Sequence, residues 1–348
     1  MKPRCITRDL KWGVEVPTED EEMKGKVFYV WFDAPIGYLS ITANFLNNDW
    51  EKWWKNPDNV KLYQFMGKDN VTFHTVIFPS TIIGTEKEYT KVFHLSTTEY
   101  LNYENKKFSK THSTGVFGDS AKTTGIPSEV WRYYLLANRP EQADTDFKWD
   151  DFMAKNNNEL LSNLGNFVNR VLKFTSKNFN MKVPKFTPTI ELEKEEGKDH
   201  LNKFNDKDRE LLNNTRKLVS EYINALDNVK IKEGLRIFME LSSLGNAYLQ
   251  ETAPWLIMKT DPVRGANILF LMMNFVRLVG CIAEPYMPSF SAKLYELISL
   301  KYDENAVRLL KDIFAIIENQ EKFDDIFLNL VKSDSEILDP LPLFKESK

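Results

Sequence analysis

Lys107-Phe108-Ser109-Lys110-Thr111 places two ammonium groups three positions apart inside a polar loop rich in Lys, Ser, Thr and Gly. Each ammonium brings three donors and a point charge. Across such a loop the pair can close over a polyphosphate and meet the negative charge that builds during nucleotidyl transfer. A solvated lysine-rich turn has the same composition, and no GxxxxGK[ST] phosphate loop offers another route to ATP. Trp31-Phe32-Asp33-Ala34-Pro35-Ile36-Gly37-Tyr38 runs from a strand end into a first helical turn, the place where α/β folds bind small molecules. Trp31, Ala34 and Pro35 can wall an apolar slot and Tyr38 can present a hydroxyl to a polarisable ligand atom; core aromatics at a strand–helix junction read the same way. In Gly67-Lys68-Asp69-Asn70-Val71-Thr72-Phe73-His74, the glycine admits a ligand to the backbone and the aspartate can accept from ribose hydroxyls or an ammonium. His74 is open to packing or ligand contact. With four histidines and no His or Cys partner at ligand spacing, no metal site is expected. Asn166 and Arg170 form an i,i+4 pair rotated off an apolar stripe, which suits hydrogen bonding to splayed single-stranded bases, and Trp255 after Ala253-Pro254 can supply a stacking plane. A solvated face and a core tryptophan are the plainer alternatives.

Two kinds of element must position these groups. In residues 1–104, KVFYVWF (26–32) reads as a strand, and Asp33-Ala34-Pro35 as the cap and opening of a helix to about residue 48. KLYQFM (61–66) reads as a second strand, followed by a largely apolar helical stretch to Ile83, and VFHLSTTEYL (92–101) as a third. Strands alternating with helices predict parallel α/β architecture, a partial Rossmann-type sheet. Residues 105–150 connect, with the lysine loop at 106–115 and a helix at 127–138. From 151 to 348 strand patterns give way to helical periodicity: Leu160, Leu161, Leu164, Phe167, Val168, Val171 and Leu172 recur at helical spacing, and further helices are expected near 231–250, 263–283 and 288–300. Residues 181–206 read as a loop, and the C-terminal segment as an extended strap packed through Leu338, Leu343 and Phe344. The predicted fold is therefore α/β followed by an all-α helical bundle.

Composition sets bounds. The 348 residues are 42% hydrophobic and 28% charged, ordinary for a globular chain with real cores. Lys+Arg 46 against Asp+Glu 50 leaves a net charge of −4, which excludes a generic basic coat but not a local basic site. Two cysteines far apart, Cys5 and Cys281, exclude a disulfide framework or a CxxC zinc knuckle and fit a reducing compartment. No 18 apolar residues run together, so no membrane span is expected, and MKPRCITRDLKWG lacks the apolar region of a signal peptide.

Nearly end to end, the chain resembles the second half of a class I methionyl-tRNA synthetase of the cytosolic eukaryotic and archaeal type. The likeness is carried by ITRDLKWGVEVP, VFYVWFDAPIGYLSITANF, YQFMGKDNVTFH, TTEYLNYENKKFSK, GVFGDSAKTTGIPSEVWRYYLLANRP, NNNELLSNLGNFVNRV and NAYLQETAPW. The resemblance implies ATP-dependent activation of L-methionine to methionyl-adenylate and its transfer to tRNA(Met), with Mg²⁺ accompanying ATP, no zinc in this chain and a cytoplasmic location. It implies a methionine pocket of Trp31, Ala34, Pro35, Tyr38 and His74, with the Tyr38 hydroxyl near the thioether sulfur. Gly67 and Asp69 would contact adenosine, and Arg8 would support the site electrostatically. Lys107, Ser109 and Lys110 would hold phosphates as the KMSKS signature, here KFSKT, and Asn166, Arg170 and Trp255 would read a CAU anticodon. Residues 1–104 would be the second half of the catalytic domain, 105–150 the signature loop and stem-contact region, and 151–348 the anticodon-binding domain. Three departures stand out. Thr111 replaces the usual Ser, His112-Ser113-Thr114 follows where Arg-Gly is common, and no HIGH-like His-x-Gly-[His/Asn] tetrapeptide occurs. The chain is accordingly expected to lack the N-terminal, HIGH-containing half and the zinc-bearing connective domain, and to be inactive alone. Its completing partner would be that half or a multi-synthetase assembly. The alternative is a non-catalytic tRNA-binding or assembly subunit.

Overall fold

The computed structural model describes residues 3, 5–187, 204–299, 323 and 326–347. It divides into two compact units, Met1–Tyr100 with Pro140–Thr145, and Leu101–Arg139 with Asp146–Lys348.

In the first unit β1 (Thr7–Arg8) pairs antiparallel with β2 (Val27–Phe28). The strand expected over 26–32 stops there: α1 (Val30–Asp33) is already a helical turn. Beyond Phe28 no described strand lies alongside to accept a ladder, so these backbone groups satisfy one another locally instead. Asp33 consequently ends a turn and makes no side-chain cap, while Pro35 occupies an early 3₁₀ position that needs no N–H. α2 (Gly37–Leu46) and α3 (Glu51–Trp54) lead to β3 (Leu62–Gly67). The chain then crosses through α4 (Phe78–Ile83) to β4 (Val92–Thr98), which pairs parallel with β3 from Leu62↔Val92 to Gly67↔Thr98. A small core of Trp54, Phe78 and Ile82 holds the crossover, and Trp54 Nε1 donates to Thr42 Oγ1 at 2.9 Å.

The second unit opens with β5 (Leu101–Tyr103), then α5 (Gly118–Thr123) and α6 (Ser128–Ala137). β6 (Thr145–Phe147) pairs with β5, and α7 (Trp149–Lys155) follows. Residues Asn156–Gly165, expected to be α-helical, form a π-helix. Its widened turn is matched by local bonds: Ser162 Oγ donates to the carbonyl of Asn157, five residues back, and the Asn156 amide donates to the Lys345 carbonyl and Ser347 Oγ of the C-terminal strap. α8 (Asn166–Asn178) continues it, burying Phe167, Val168, Val171 and Leu172 as the spacing predicted.

The bundle closes with α9 (Asp206–Asp227), α10 (Ile231–Thr252), α11 (Pro254–Thr260), α12 (Pro262–Ala283) and α13 (Pro288–Leu297). α12 is long and apolar enough to cross a bilayer, yet 94% of its apolar window is buried inside this unit, so it is a core helix. Asp208 ties three helices together. It forms a capping box with Asn205, takes two 2.7 Å bonds from the Arg264 guanidinium, and accepts from the Tyr248 hydroxyl at 2.5 Å. The strap is anchored by buried Ile337 and Phe344 and half-buried Leu343. Leu338, expected as an anchor, is exposed, and it is its backbone N–H that binds, to the Leu297 carbonyl. Residues 188–203 of the expected loop and residue 300 of the expected last helix lie outside the described residues.

Candidate functional site

In the first unit one cavity of about 550 Å³ gathers Trp31 from α1, Ala34 and Pro35 from the 3₁₀ turn, Tyr38 from α2, Gly67 from the end of β3, and His74 beyond it. The strand-to-helix turns at the ends of β2 and β3 therefore face a common space, as an α/β layer arranges them. His74 is buried, and its Nδ1 lies 2.8 Å from the Asn70 carbonyl. A carbonyl can only accept, so Nδ1 carries the proton. In the neutral ring Nε2 is then the acceptor, and the Tyr38 hydroxyl donates to it at 2.9 Å. The Tyr38 oxygen thus keeps its lone pairs for the cavity while its proton is committed to His74.

Trp31 meets Phe73 edge-on at 5.3 Å, and Tyr29 sits 5.1 Å from Trp31. The Arg8 guanidinium lies 3.8 Å over the Tyr29 ring, so it reaches the tryptophan at one remove and does not line the cavity. Asp69 also lies outside the lining. It accepts from the Tyr100 hydroxyl at 2.5 Å, and that bond, with burial and the carboxylate charge adding to it, pushes the phenol pKa up. Lys68 stands 4.3 Å over the Tyr100 ring, bonds to Glu99 and approaches Asp144 at 3.5 Å; the Glu99 bond chiefly raises its pKa. Asn70 and Phe73 are lining residues that sequence reasoning quoted but did not assign.

Lys107, Ser109 and Lys110 belong to the second unit. A tight turn at Glu104 and Asn105, φ 47° and 61°, leads into their loop, which is a hairpin of its own: Ser109 and Thr114 exchange two 2.9 Å backbone bonds, and Ser113 at φ 51° turns the chain between them. Phe108 is its anchor, 5.5 Å from Tyr103 and 5.8 Å from Phe117, while Gly115 at φ +124° passes so close that a Cβ there would lie 2.2 Å from the Phe108 ring. Lys107 and Lys110 are left exposed, the latter's ammonium 5.8 Å from the Phe117 ring centroid.

A second cavity, about 290 Å³, lies in the bundle between α8 and the α10–α11 junction. Ala253 takes a left-handed conformation, φ 39° and ψ 60°, and Pro254 restarts the helix, which turns Trp255 toward α8. The Arg170 guanidinium lies 5.1 Å over the Trp255 ring and donates a long 3.4 Å bond to Gln250 Oε1. Asn166 is exposed and does not line this cavity; Asn169, one position before Arg170, does, with Lys173, Phe174 and Lys177. The missed signal was the continuation of the Arg170 stripe at i+3 and i+7 by two lysines.

Comparison with known proteins identifies the family and the fold. Residues 1–172 match the family of class I tRNA synthetases (M), and residues 200–326 match the anticodon binding domain of methionyl tRNA ligase. A probable cytoplasmic methionine–tRNA ligase of Dictyostelium discoideum is 50% identical over 337 residues, covering 93% of this chain and 43% of that protein. A cytoplasmic methionine–tRNA ligase of Arabidopsis thaliana is 52% identical over 300 residues, covering 86% and 36%. Mycobacterium tuberculosis methionyl-tRNA synthetase, solved in complex with methionyl-adenylate, superposes with a TM-score of 0.76 at 21% identity, over 97% of this chain and 59% of that one. The predicted order, an α/β layer and then an all-α bundle, is the fold these comparisons share. Spanning less than half the length of these curated relatives, the chain belongs to the methionyl family of class I tRNA synthetases.

Proposed function

We propose that this chain supplies the methionine pocket, the phosphate-binding lysine hairpin and the anticodon-binding bundle of a cytoplasmic methionine–tRNA ligase, which activates L-methionine with ATP and transfers it to tRNA(Met). The observation that carries the reading is the first cavity: Trp31, Ala34, Pro35, Tyr38, Gly67 and His74, scattered over 44 positions, line one space. An indole and a proline ring grip an unbranched apolar chain, and the Tyr38 oxygen, oriented by His74, faces the polarisable sulfur. Such a polar check matters because apolar fit alone separates analogues by about 1–3 kcal/mol per methylene. Gly67 leaves the backbone open to adenosine, Asp69 is held by Tyr100 for a hydroxyl or ammonium, and Arg8 braces Trp31 through Tyr29. Lys107 and Lys110 would hold the phosphates, with Ser109 in the same hairpin, and Mg²⁺ would arrive with ATP, not in a protein cage. Arg170 and Trp255, with Asn166 one turn earlier on α8, would receive the anticodon.

Segments 1–104, 105–150 and 151–348 then serve as half of the catalytic layer, the hairpin and stem-contact region, and the anticodon domain. Activation is assigned to a polypeptide that also carries a HIGH-type turn, because none occurs in these 348 residues. That same lack favours a second reading, in which this chain binds tRNA within an assembly without activating methionine.

Saturation-transfer NMR of the whole chain with L-methionine tests the pocket. Signal from the methionine methyl group, weaker with L-norleucine and lost in Trp31→Ala, is the expected result. No transfer from L-methionine to folded wild type, or equal transfer from both amino acids, would overturn it.

A further inference from the structure

The turn after β3 and the end of β4 meet in a clasp of side chains within the first unit, built from Lys68, Asp69, Glu99, Tyr100 and Asp144. Tyr100 is fastened at three points. Its backbone N–H donates to Asp144 Oδ1 at 3.0 Å, its carbonyl accepts from the Thr145 N–H at 3.0 Å, and the Lys68 ammonium stands 4.3 Å over its ring. Lys68 is itself bonded to Glu99 and lies 3.5 Å from Asp144, so its charge is committed inside the clasp and is not free for a phosphate. Tyr100 is 42% exposed, so these anchors do not serve to fill a core. What they fix is the phenol oxygen, which donates to Asp69 Oδ2 at 2.5 Å. Asp69 is exposed, its Oδ1 accepts no hydrogen bond among the described residues, and it stands in the chain between Gly67 and Asn70, which both line the first cavity. An exposed aspartate left to itself samples several rotamers, and a ligand must order it on binding. With one oxygen pinned, the other becomes an acceptor of fixed direction, ready for the two O–H donors of a vicinal diol.

We propose that Tyr100 is a positioning residue for ribose recognition: mounted by Lys68 and Asp144, it holds Asp69 so that the open carboxylate oxygen takes the vicinal hydroxyls of a nucleoside. The proposal rests on the reading of Asp69 as an adenosine contact, and adds the groups that fix the direction of that contact. Tyr100 touches no ligand itself, and Lys68 acts one step further back, through the ring.

The test uses the whole chain with adenosine and 2′,3′-dideoxyadenosine as probes, their affinities measured by ligand-observed NMR titration at one pH and salt concentration. Wild type should bind adenosine roughly ten-fold more tightly than the dideoxynucleoside, the difference that one hydrogen bond to a charged acceptor supports. Asp69→Asn should abolish that gap. Tyr100→Phe keeps the ring under Lys68 and loses only the hydroxyl, so it should narrow the gap to roughly two- or three-fold while Tm and the dideoxyadenosine affinity stay where they were. Lys68→Met, which releases the ring and leaves the hydroxyl, should narrow it in the same direction. If wild type binds neither nucleoside or does not distinguish them, or if Asp69→Asn keeps the gap, the adenosine reading of Asp69 itself falls. If that reading stands and Tyr100→Phe preserves or widens the gap, the hydroxyl only covers the carboxylate or competes with ribose, and the positioning role falls. A gap narrowed by Tyr100→Phe but not by Lys68→Met would overturn the mount.

Discussion

A methyl group at position 115 would lie 2.2 Å from Phe108 Cδ1, on backbone at φ +124° that L side chains rarely adopt. Gly115 is therefore what lets Phe108 seat beneath the lysine hairpin. Gly115→Val should unseat it at a strain of about 1–3 kcal/mol, a roughly 5- to 150-fold rise in the opened population. Limited trypsin digestion at Lys107 and Lys110 measures this, and an unchanged cleavage rate would remove Phe108 as the anchor. Among single residues, legibility in the sequence followed chemical distinctiveness. Trp31, Tyr38 and His74 are rare types whose partners lie within short motifs, and the structure brings them together. Asn169 was invisible because an amide on a helix becomes notable only when packing sets it in a cavity wall. Arg8 and Asp69 were expected at the site, and each lies outside the cavity lining against an aromatic neighbour that no spacing rule reveals.

Elements were more legible where they carry their own periodicity. The bundle helices appear close to their expected limits because an apolar stripe at 3.6 spacing is intrinsic to one segment. The first strand was not, since strand propensity measures fit to a neighbour and Tyr29–Phe32 have no described neighbour strand. The π-helix eluded the pattern because an extra residue per turn is fixed by bonds to the distant strap. Two substitutions test how the helices are held. At Gly245 a Cβ would meet Phe167 at 2.5 Å and Phe275 at 2.8 Å, so Gly245→Ala should force α10 from α8 and α12, costing about 1–3 kcal/mol in urea unfolding. Arg264→Met strips Asp208, 1% exposed, of its cation and should cost about 3–5 kcal/mol. A loss below 1 kcal/mol would mean that Tyr248 and the capping box suffice for the carboxylate.

At the scale of the molecule the two units differ in what holds them. Among the described residues the first has a core cluster of three buried side chains, Trp54, Phe78 and Ile82, whereas the second has one continuous core from Val130 to Phe344. Amides of β3 and β4 should therefore exchange in deuterium well before those of α12; simultaneous exchange would make the chain a single cooperative system. The proposed chemistry divides as well, between this chain and a polypeptide that carries a HIGH-type turn. Without a HIGH-type turn, the chain alone should show no methionine-dependent ATP–pyrophosphate exchange above background, since losing even one preorganised donor costs about 10²–10³ in rate. Exchange at an ordinary synthetase rate would refute that division. One more property is built into the second unit. Phe108 rests on Tyr103, which stacks on Phe147 at 5.7 Å and accepts from Trp149 Nε1; Trp149 meets Trp131 at 5.6 Å and 79°. Two indoles held at fixed distance and angle form a chiral exciton pair, so the hairpin stands on its own optical reporter. A change in its seating should be readable, without any label, in the far-ultraviolet exciton couplet of the native chain's circular dichroism.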